Sequence, residues 1–355
     1  MSYKSAILGC GPRAESHAAA YRENLDQIRL QAVCDMDRAR LDALGERFGV
    51  ARRYEELEEM LARETPDILH IVTMPQFREQ PIEMAARHGV KGIIVEKPLG
   101  LLPSQVEKIK RIVQRTGIKI ALNTQRRYFP TCVALRKALE DERIGEIRFV
   151  RVVTRGNILS MGPHMVDLLL YFLGDKQPLR VWACANGMSG HEWKHPAPAN
   201  MLIRFIFPGN LVAYCEDAHD CVGVPEVTDY WQQFELDFWG FKGRAWWTQD
   251  HNWGYITDGM AKPYVEPNKW EANEALGQRE FTRAMAHWLD GGATHRNCFE
   301  NALRGFDMIM AALRSAYTNK DVPFPCPVAD DTVKSLEANL TAEASGNGLG
   351  ISHSV

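Results

Sequence analysis

This sequence predicts an α/β protein in two parts: a doubly wound parallel sheet, then an α/β domain with an open, mainly antiparallel sheet. Three features carry that expectation. Short apolar runs alternate with amphipathic helical stretches over the first third of the chain, and a glycine-rich turn follows the first run at once. Longer segments of period-two alternation take over from about residue 146. Buried parallel strands read as continuous apolar runs, whereas half-buried antiparallel strands alternate.

The elements follow in order. Lys4 to Leu8 reads as a strand, Leu30 to Cys34 as a second, and Arg38 to Phe48 as a helix stopped by Gly49. Tyr54 to Glu64 is a second amphipathic stretch. Strand Ile68 to Val72 runs into the turn Thr73-Met74-Pro75, and a helix from Pro81 to His88 stops at Gly89. Strand Gly92 to Val95 leads into Glu96-Lys97-Pro98. A helix from Pro103 to Thr116 has proline at its start and glycine after its end, and Ile118 to Leu122 is another strand.

Beyond these, Thr131 to Asp141 is helical. Glu146–Thr154, Leu179–Ala185, Asn200–Phe207, Leu211–Glu216, the run around Phe234, Leu236 and Phe238, and Arg244–Thr248 are strand candidates. Helices follow at about Asn273 to Asp290 and Cys298 to Thr318. The tail after Leu340 is rich in Ala, Ser and Gly and reads as loose. These elements set boundaries at 1–122, 123–330 and a C-terminal helix and tail at 331–355.

Gly9-Cys10-Gly11-Pro12-Arg13-Ala14 has the pattern of a dinucleotide-binding turn, with alanine as the third small residue. Gly9 permits the turn, Gly11 lets backbone approach a pyrophosphate, and Ala14 lets the next helix pack on the strand. Asp35 ends the second strand, 24 residues after Gly11. A carboxylate there binds ribose hydroxyls and repels a 2′-phosphate, which favours NAD over NADP.

Composition narrows the remaining classes. The hydrophobic fraction is 45% and the charged fraction 25%, ordinary for a globular protein. A net charge of -3 gives no reason to expect nucleic acid or an anionic membrane as partner. The eight cysteines form no CxxC pair, which suits buried thiols in the cytoplasm better than disulfides or zinc. The first strand begins almost at the N-terminus, and no apolar run reaches 18 residues, so neither a signal peptide nor a membrane span is expected. His191 and His195 have ligand-like spacing without a carboxylate or thiolate nearby, so no metal is expected.

Two constellations carry chemistry. Lys97 stands just past a parallel strand, the edge where ligands bind in such sheets, and can stabilise negative charge on a substrate oxygen. Pro163 begins a helix that Gly174 ends, with His164 in its first turn and Asp167 three residues on, on the same face. The positive helix end disfavours imidazolium, and a neutral ring can take a hydroxyl proton. Asn123 and Tyr128 follow the last strand of the first sheet. Arg126 and Arg127 suit a substrate carboxylate or a solvated, ion-paired surface. Of the aromatics Trp193, Trp231, Trp246, Trp247 and Trp253, most are expected to be packing residues.

In combination, Gly9-Cys10-Gly11 with His17, Thr73-Met74-Pro75, Glu96-Lys97-Pro98, Asn123 to Tyr128, and Gly162-Pro163-His164 with Asp167 resemble the glucose–fructose oxidoreductase, inositol dehydrogenase and MocA (Gfo/Idh/MocA) family, over residues 4–320. The resemblance implies an N-terminal Rossmann domain and a C-terminal substrate and oligomerisation domain. It implies NAD or NADP as cofactor, hydride transfer at a sugar or polyol, and a homodimer or homotetramer built on the C-terminal sheet. Lys97 and His164 would be catalytic. Gly9, Gly11, Pro12, Arg13, Ala14, Asp35, Thr73, Pro75, Glu96, Lys97 and Asn123 would hold the cofactor, and Asp167, Tyr128, Ser160 and Arg127 the substrate. Two positions depart from the pattern. Ser160 stands where many members carry aspartate, and is expected to cap the helix. Arg78 stands where relatives carry histidine, and is expected at the surface. The reading is an NAD-dependent oxidoreductase of a sugar or cyclitol hydroxyl. A redox-neutral glycoside hydrolase using transient oxidation is the first alternative, and a non-catalytic dinucleotide sensor the second.

Overall fold

The computed structural model describes residues 2–189, 197–219 and 229–344. In chain order its elements are β1 (Tyr3–Leu8), α1 (Pro12–Arg22), β2 (Ile28–Cys34), α2 (Arg38–Phe48), β3 (Arg52–Tyr54), α3 (Leu57–Glu64), β4 (Ile68–Ile71), α4 (Glu79–Arg87), β5 (Gly92–Glu96), α5 (Pro103–Thr116) and β6 (Lys119–Asn123). Then come α6 (Pro130–Glu140), β7 (Ile147–Thr154), α7 (Gly162–Phe172), β8 (Arg180–Ser189), β9 (Ala197–Ile206), β10 (Val212–Ala218), β11 (Phe234–Gly240), β12 (Gly243–Thr248), β13 (Asn252–Thr257) and β14 (Tyr264–Pro267). The last are α8 (Trp270–Leu289), α9 (Phe299–Thr318), β15 (Val322–Pro323) and α10 (Asp330–Ala344). The chain divides into two compact units: residues 1–130 with 271–303, and residues 131–270 with 304–355.

The first unit is a six-stranded parallel sheet in the order β3-β2-β1-β4-β5-β6. The order reverses between β1 and β4, which makes that gap the topological switch point. Register fixes what stands at the carboxyl edge. Leu8 lies opposite both Cys34 and Ile71, Ile71 opposite Val95, and Glu96 opposite Asn123. Gly9, Asp35, Thr73, Lys97 and Asn123 therefore share one edge. Local signals set the helix ends: Asp37 accepts the backbone N–H groups of Ala39 and Arg40 to cap α2, and Gly49 and Gly117 end α2 and α5 at φ 67 and 69.

The span Tyr54–Glu64 is not one element. Tyr54 closes β3, where Ala32 to Cys34 pair with Arg52 to Tyr54, and the helix starts only at Leu57. A three-residue edge strand of Arg, Arg and Tyr carries no alternation for sequence reading to find. Residues 271–303 also fold with the first unit rather than with the second, where the boundary at 122 would put them. The reason is packing: Phe281, Met285 and Ala286 of α8 share a core with Ile7, Val33, Ile94 and Ala121. A Cβ added at Gly92 would lie 2.8 Å from Met285 Sδ, so glycine lets the helix sit against the sheet. The same segment covers the edge strand, since Ala121 pairs with Cys298 and Leu122 N–H donates to Asn297 O at 2.9 Å.

The second unit holds a nine-stranded sheet in the order β14-β13-β12-β11-β7-β10-β9-β8-β15. Only β7 and β10 pair in parallel; the other neighbours are antiparallel. Val150, Val152, Ala213, Cys215, Ile203, Phe205, Leu236, Phe238 and Trp247 fill the buried face. The central strands match the expected alternation. β13, β14 and β15 carried no such pattern and lie toward the two edges of the sheet. α10 continues to Ala344, past the expected loosening at Leu340, and residues 345–355 lie outside the described residues. No described helix is long and apolar enough to cross a membrane.

If α8 belongs to the first core, Phe281→Ala should cost about 3–5 kcal/mol, the usual loss for a fully buried ring. Leu276→Ala, on the exposed side of the same helix, should cost under about 0.5 kcal/mol. Denaturant unfolding of both variants checks the contrast.

Candidate active site

The glycine turn follows from steric need. Gly9 has φ 93, and a Cβ there would lie 2.6 Å from Val72 O, so no other residue fits. At Gly11 a Cβ would meet nothing within 4 Å, leaving open space on the face where a pyrophosphate would lie. Gly11 is the N-cap of α1, Pro12 occupies the first turn, and no side chain caps the helix. Its N–H groups and positive dipole end suit a phosphate. Asp35 accepts Cys10 N–H at 2.6 Å through Oδ2 and Asp37 N–H at 2.9 Å through Oδ1, which fixes the carboxylate beside the turn. Thr73 Oγ1 is buried without a hydrogen-bond partner among the described residues. An open glycine cradle, an uncapped helix start, an oriented carboxylate and an orphaned hydroxyl fit a dinucleotide.

Glu96, 8% exposed, is the electrostatic centre of this edge. Its Oε1 accepts Arg13 Nε at 3.1 Å, His17 Nε2 at 2.7 Å and Asn123 Nδ2 at 2.7 Å, and its Oε2 accepts Lys97 N–H at 3.2 Å. Burial opposes its charge, yet the Arg13 guanidinium and the His17 hydrogen bond hold the carboxyl well below the usual carboxylate range. Burial lowers the pKa of His17, leaving a neutral ring. An ionised carboxylate can only accept, so the ring proton sits on Nε2. Arg13 also donates to Glu274 at 2.7 Å and Gln278 at 3.4 Å on α8, and Gln278 donates to Asn123 Oδ1 at 3.2 Å. Burial works against the Arg13 charge, but Glu274 and Glu96 raise its pKa overall.

Lys97 follows Glu96 and is half-buried. Burial lowers its pKa to about 8; Glu96 opposes that fall, while Arg126, Arg13 and Arg78 add to it. The Lys97 amine is thus poised between its two protonation states near neutral pH, as suits a group that holds or moves a proton.

The structure brings Gly9, Gly11, Arg13, Asp35, Thr73, Glu96, Lys97 and Asn123 to this edge and corrects other expectations. Arg78 is not at the surface: it is 1% exposed, and its Nη2 donates to Lys97 O at 3.0 Å and Thr73 O at 3.4 Å. Burial lowers its pKa to about 9. It ties the Thr73 turn to the lysine loop, a contact no local pattern signals. Arg126 and Arg127 are also buried rather than solvated. Tyr128 packs against Phe281 and His295, and its hydroxyl accepts Arg296 N–H at 3.1 Å. His17 and His70, which carried no role in the sequence reading beyond a motif position, lie 4.0 Å apart between ring centroids, their planes tilted by 47°.

In the second unit, β7 runs into a tight turn built by Asn157. Its Oδ1 accepts the N–H groups of Leu159 and Ser160, and its carbonyl those of Ser160 and Met161. α7 begins directly afterwards and packs on β7, so the helix start lies at the carboxyl end of that strand. His164 and Asp167, each 6% exposed, sit in its first turns. Met161, not Ser160, occupies the N-cap position of α7, and its side chain makes no capping hydrogen bond. Asn157 had no sequence signal beyond its turn propensity.

Two further groups at this strand end were missed. Thr154 closes β7 and pairs with Asp217 on β10. Both lie on the buried face, at 0% and 1% exposure, and neither the Thr154 hydroxyl nor either Asp217 oxygen has a hydrogen-bond partner among the described residues. Burial raises the Asp217 pKa well above the carboxylate range, against a weaker pull from Arg155. Each such unmade bond costs about 1–3 kcal/mol.

The tryptophans pack: Trp247 is fully buried with its Nε1 donating to Thr131 Oγ1, and Trp231 lies edge-on to Trp270. His191, His195 and Trp193 lie outside the described residues. No cluster of His, Cys, Asp and Glu among the described residues is arranged to hold a metal ion.

The charges around Lys97 set two opposite expectations. Its ammonium should titrate near pH 8; Glu96→Gln removes the charge that favours the ammonium and should move the midpoint lower, whereas Arg126→Gln should move it higher. NMR titration of the lysine side-chain carbons, with the Lys97 signal identified by its loss in Lys97→Arg, reads both.

Residues 3–124 match the model of an oxidoreductase family with the NAD-binding Rossmann fold. Over 190 residues the chain is 28% identical to D-apiose dehydrogenase of Paraburkholderia graminis, covering 49% of this chain and 50% of that protein. Over 199 residues it is 31% identical to inositol 2-dehydrogenase of Rhizobium meliloti, covering 52% and 59%. The chain thus spans about half the length of the curated relatives it matches. An oxidoreductase of Agrobacterium radiobacter, solved with NAD+, L-tartaric acid and magnesium, shares the fold at a TM-score of 0.78 and 21% identity, covering 91% of this chain and 98% of that one. Residues 3–124 thus carry the NAD-binding Rossmann fold of the Gfo/Idh/MocA oxidoreductase family.

Proposed function

We propose that this protein is an NAD-dependent oxidoreductase that transfers hydride from a secondary hydroxyl of a sugar or cyclitol. The observation that carries the reading is the register of the parallel sheet, which gathers the glycine turn, Asp35, Thr73 and Lys97 at one edge. The relatives' activities on apiose and inositol supply the substrate class.

Gly9, Gly11 and the start of α1 hold the pyrophosphate, Asp35 the adenosine ribose, and Thr73 and Lys97 the nicotinamide half. When bound, NAD supplies the hydride acceptor. His164 accepts the hydroxyl proton through its imidazole. Lys97 donates a hydrogen bond to the oxygen as negative charge develops there and relays the proton. Arg78 and Glu96 fix the lysine loop from behind. The protein's contribution is chiefly orientation and preset electrostatics.

We propose also that the outer face of the second sheet mediates self-association into a homodimer or homotetramer. Trp239, Leu202, Tyr214 and Ile256 expose 48%, 39%, 37% and 37% of their surface there, apolar side chains that a partner sheet could cover. Light scattering on Trp239→Glu should give a smaller species than the wild type; an unchanged mass removes this interface.

Purified protein incubated with NAD and a panel of sugars, cyclitols and glycosides should accumulate NADH, read at 340 nm, at least tenfold faster than with NADP. Lys97→Ala and His164→Ala should each lower kcat/KM by about 10²–10⁴. Release of an aglycone without net NADH would replace this reading with the redox-neutral hydrolase. No turnover with any substrate, and a biological activity indifferent to both variants, would replace it with the sensor.

A further inference from the structure

Thr154 and Asp217 lie side by side in register on the parallel strands β7 and β10, at the carboxyl ends of both. Register neighbours on adjacent strands project to the same face, and here that face is the buried one. Three polar atoms, the Thr154 hydroxyl and both Asp217 oxygens, stand there without an acceptor or donor among the described residues. Arg155 faces the carboxyl electrostatically but spends its Nη1 on Thr154 O at 3.2 Å, and no ion pair joins it to Asp217 among the described residues. Native interiors satisfy most such groups, and two open side chains in register offer a ligand adjacent donors and acceptors. β7 reaches α7 through the Asn157 turn alone, and α7 packs back on β7, so the open pair lies at the same end of the unit as the His164 turn.

We propose that Thr154 and Asp217 form a hydroxyl-binding subsite that holds neighbouring hydroxyl groups of the substrate. A threonine hydroxyl donates and accepts, and a carboxyl accepts at both oxygens and, when protonated, donates. Burial raises the Asp217 pKa and so disfavours its charge, which suits neutral ligand hydroxyls better than an anion. The match is to a vicinal diol, not to an anion or an apolar ring. The assignment rests on the dehydrogenase reading for its ligand class and adds which groups select among polyols: an analogue lacking the hydroxyl held here leaves the pair unmatched again.

The test is calorimetric titration of the NADH-loaded protein with D-glucose, myo-inositol and their monodeoxy analogues. The wild type should bind at least one parent polyol tenfold or more tightly than one of its deoxy analogues. Thr154→Val, which keeps shape, and Asp217→Val should each shrink that ratio below threefold. Both should bind NADH within twofold of wild type, and Asp217→Val should melt no lower than wild type. The subsite is overturned if no polyol in the panel is preferred over its deoxy forms, if both variants keep the preference, or if the preference falls only alongside a tenfold loss of NADH affinity. NADH formation at 340 nm separates the two readings. Selective binding that depends on Thr154 and Asp217 without hydride transfer sinks the dehydrogenase and leaves the subsite; hydride transfer indifferent to both residues does the reverse.

Discussion

A carboxylate buried at the end of a parallel strand must be neutralised or fully paired, and Glu96 is paired. One of its oxygens receives donors from α1, from the same helix one turn on, and from β6; the other receives the backbone N–H of Lys97. Removing one partner from such a cluster typically costs about 3–5 kcal/mol, because a charge is left buried without its complement. The cluster therefore constrains four elements at once. It sets the start of α1 beneath the glycine turn and anchors the lysine loop. Through Glu274 and Gln278 it ties α8 to the sheet edge. The electrostatics of Lys97 follow from that arrangement, since the carboxylate that favours its charge is fixed in place while burial and three guanidinium groups disfavour it.

How much of this was legible in the sequence depended on the range of the signal. Turn chemistry is local, so the ends of α2 and α5 were read residue for residue at Gly49, Pro103 and Gly117, while the Asp37 cap that starts α2 emerges only in the structure. Alternation within one strand is local too, and it revealed the central strands of the second sheet. What escaped was set by distant contacts. The helix at 270–289 looks like any other amphipathic segment, and only the packing of Phe281 and Met285 shows which core it completes. β3 is short and polar and exists because β2 offers it an edge. Arg78 reads as a surface cation, because nothing local tells of two carbonyls awaiting a donor inside. Thr154 and Asp217 are unremarkable strand residues until register sets them side by side.

The second unit shows how stability is traded at a site. The central strands of its sheet bury apolar side chains, but at the carboxyl ends of β7 and β10 buried polar atoms are left unmet among the described residues. The helix bearing His164 likewise has methionine, a poor capping residue, at its N-cap. Both features forgo stability that a purely structural sheet and helix would keep, and both lie at the same end of the unit. Such local departures from good packing and capping are expected where a chain binds something other than itself.

The crystal structure of the complex with NAD measures the central claim most directly. The account predicts the pyrophosphate against Gly9 to Ala14, the adenosine ribose on the Asp35 carboxylate, and the nicotinamide ribose within hydrogen-bonding distance of Lys97. A dinucleotide bound away from this edge, or reversed so that its nicotinamide lies at Asp35, would contradict it.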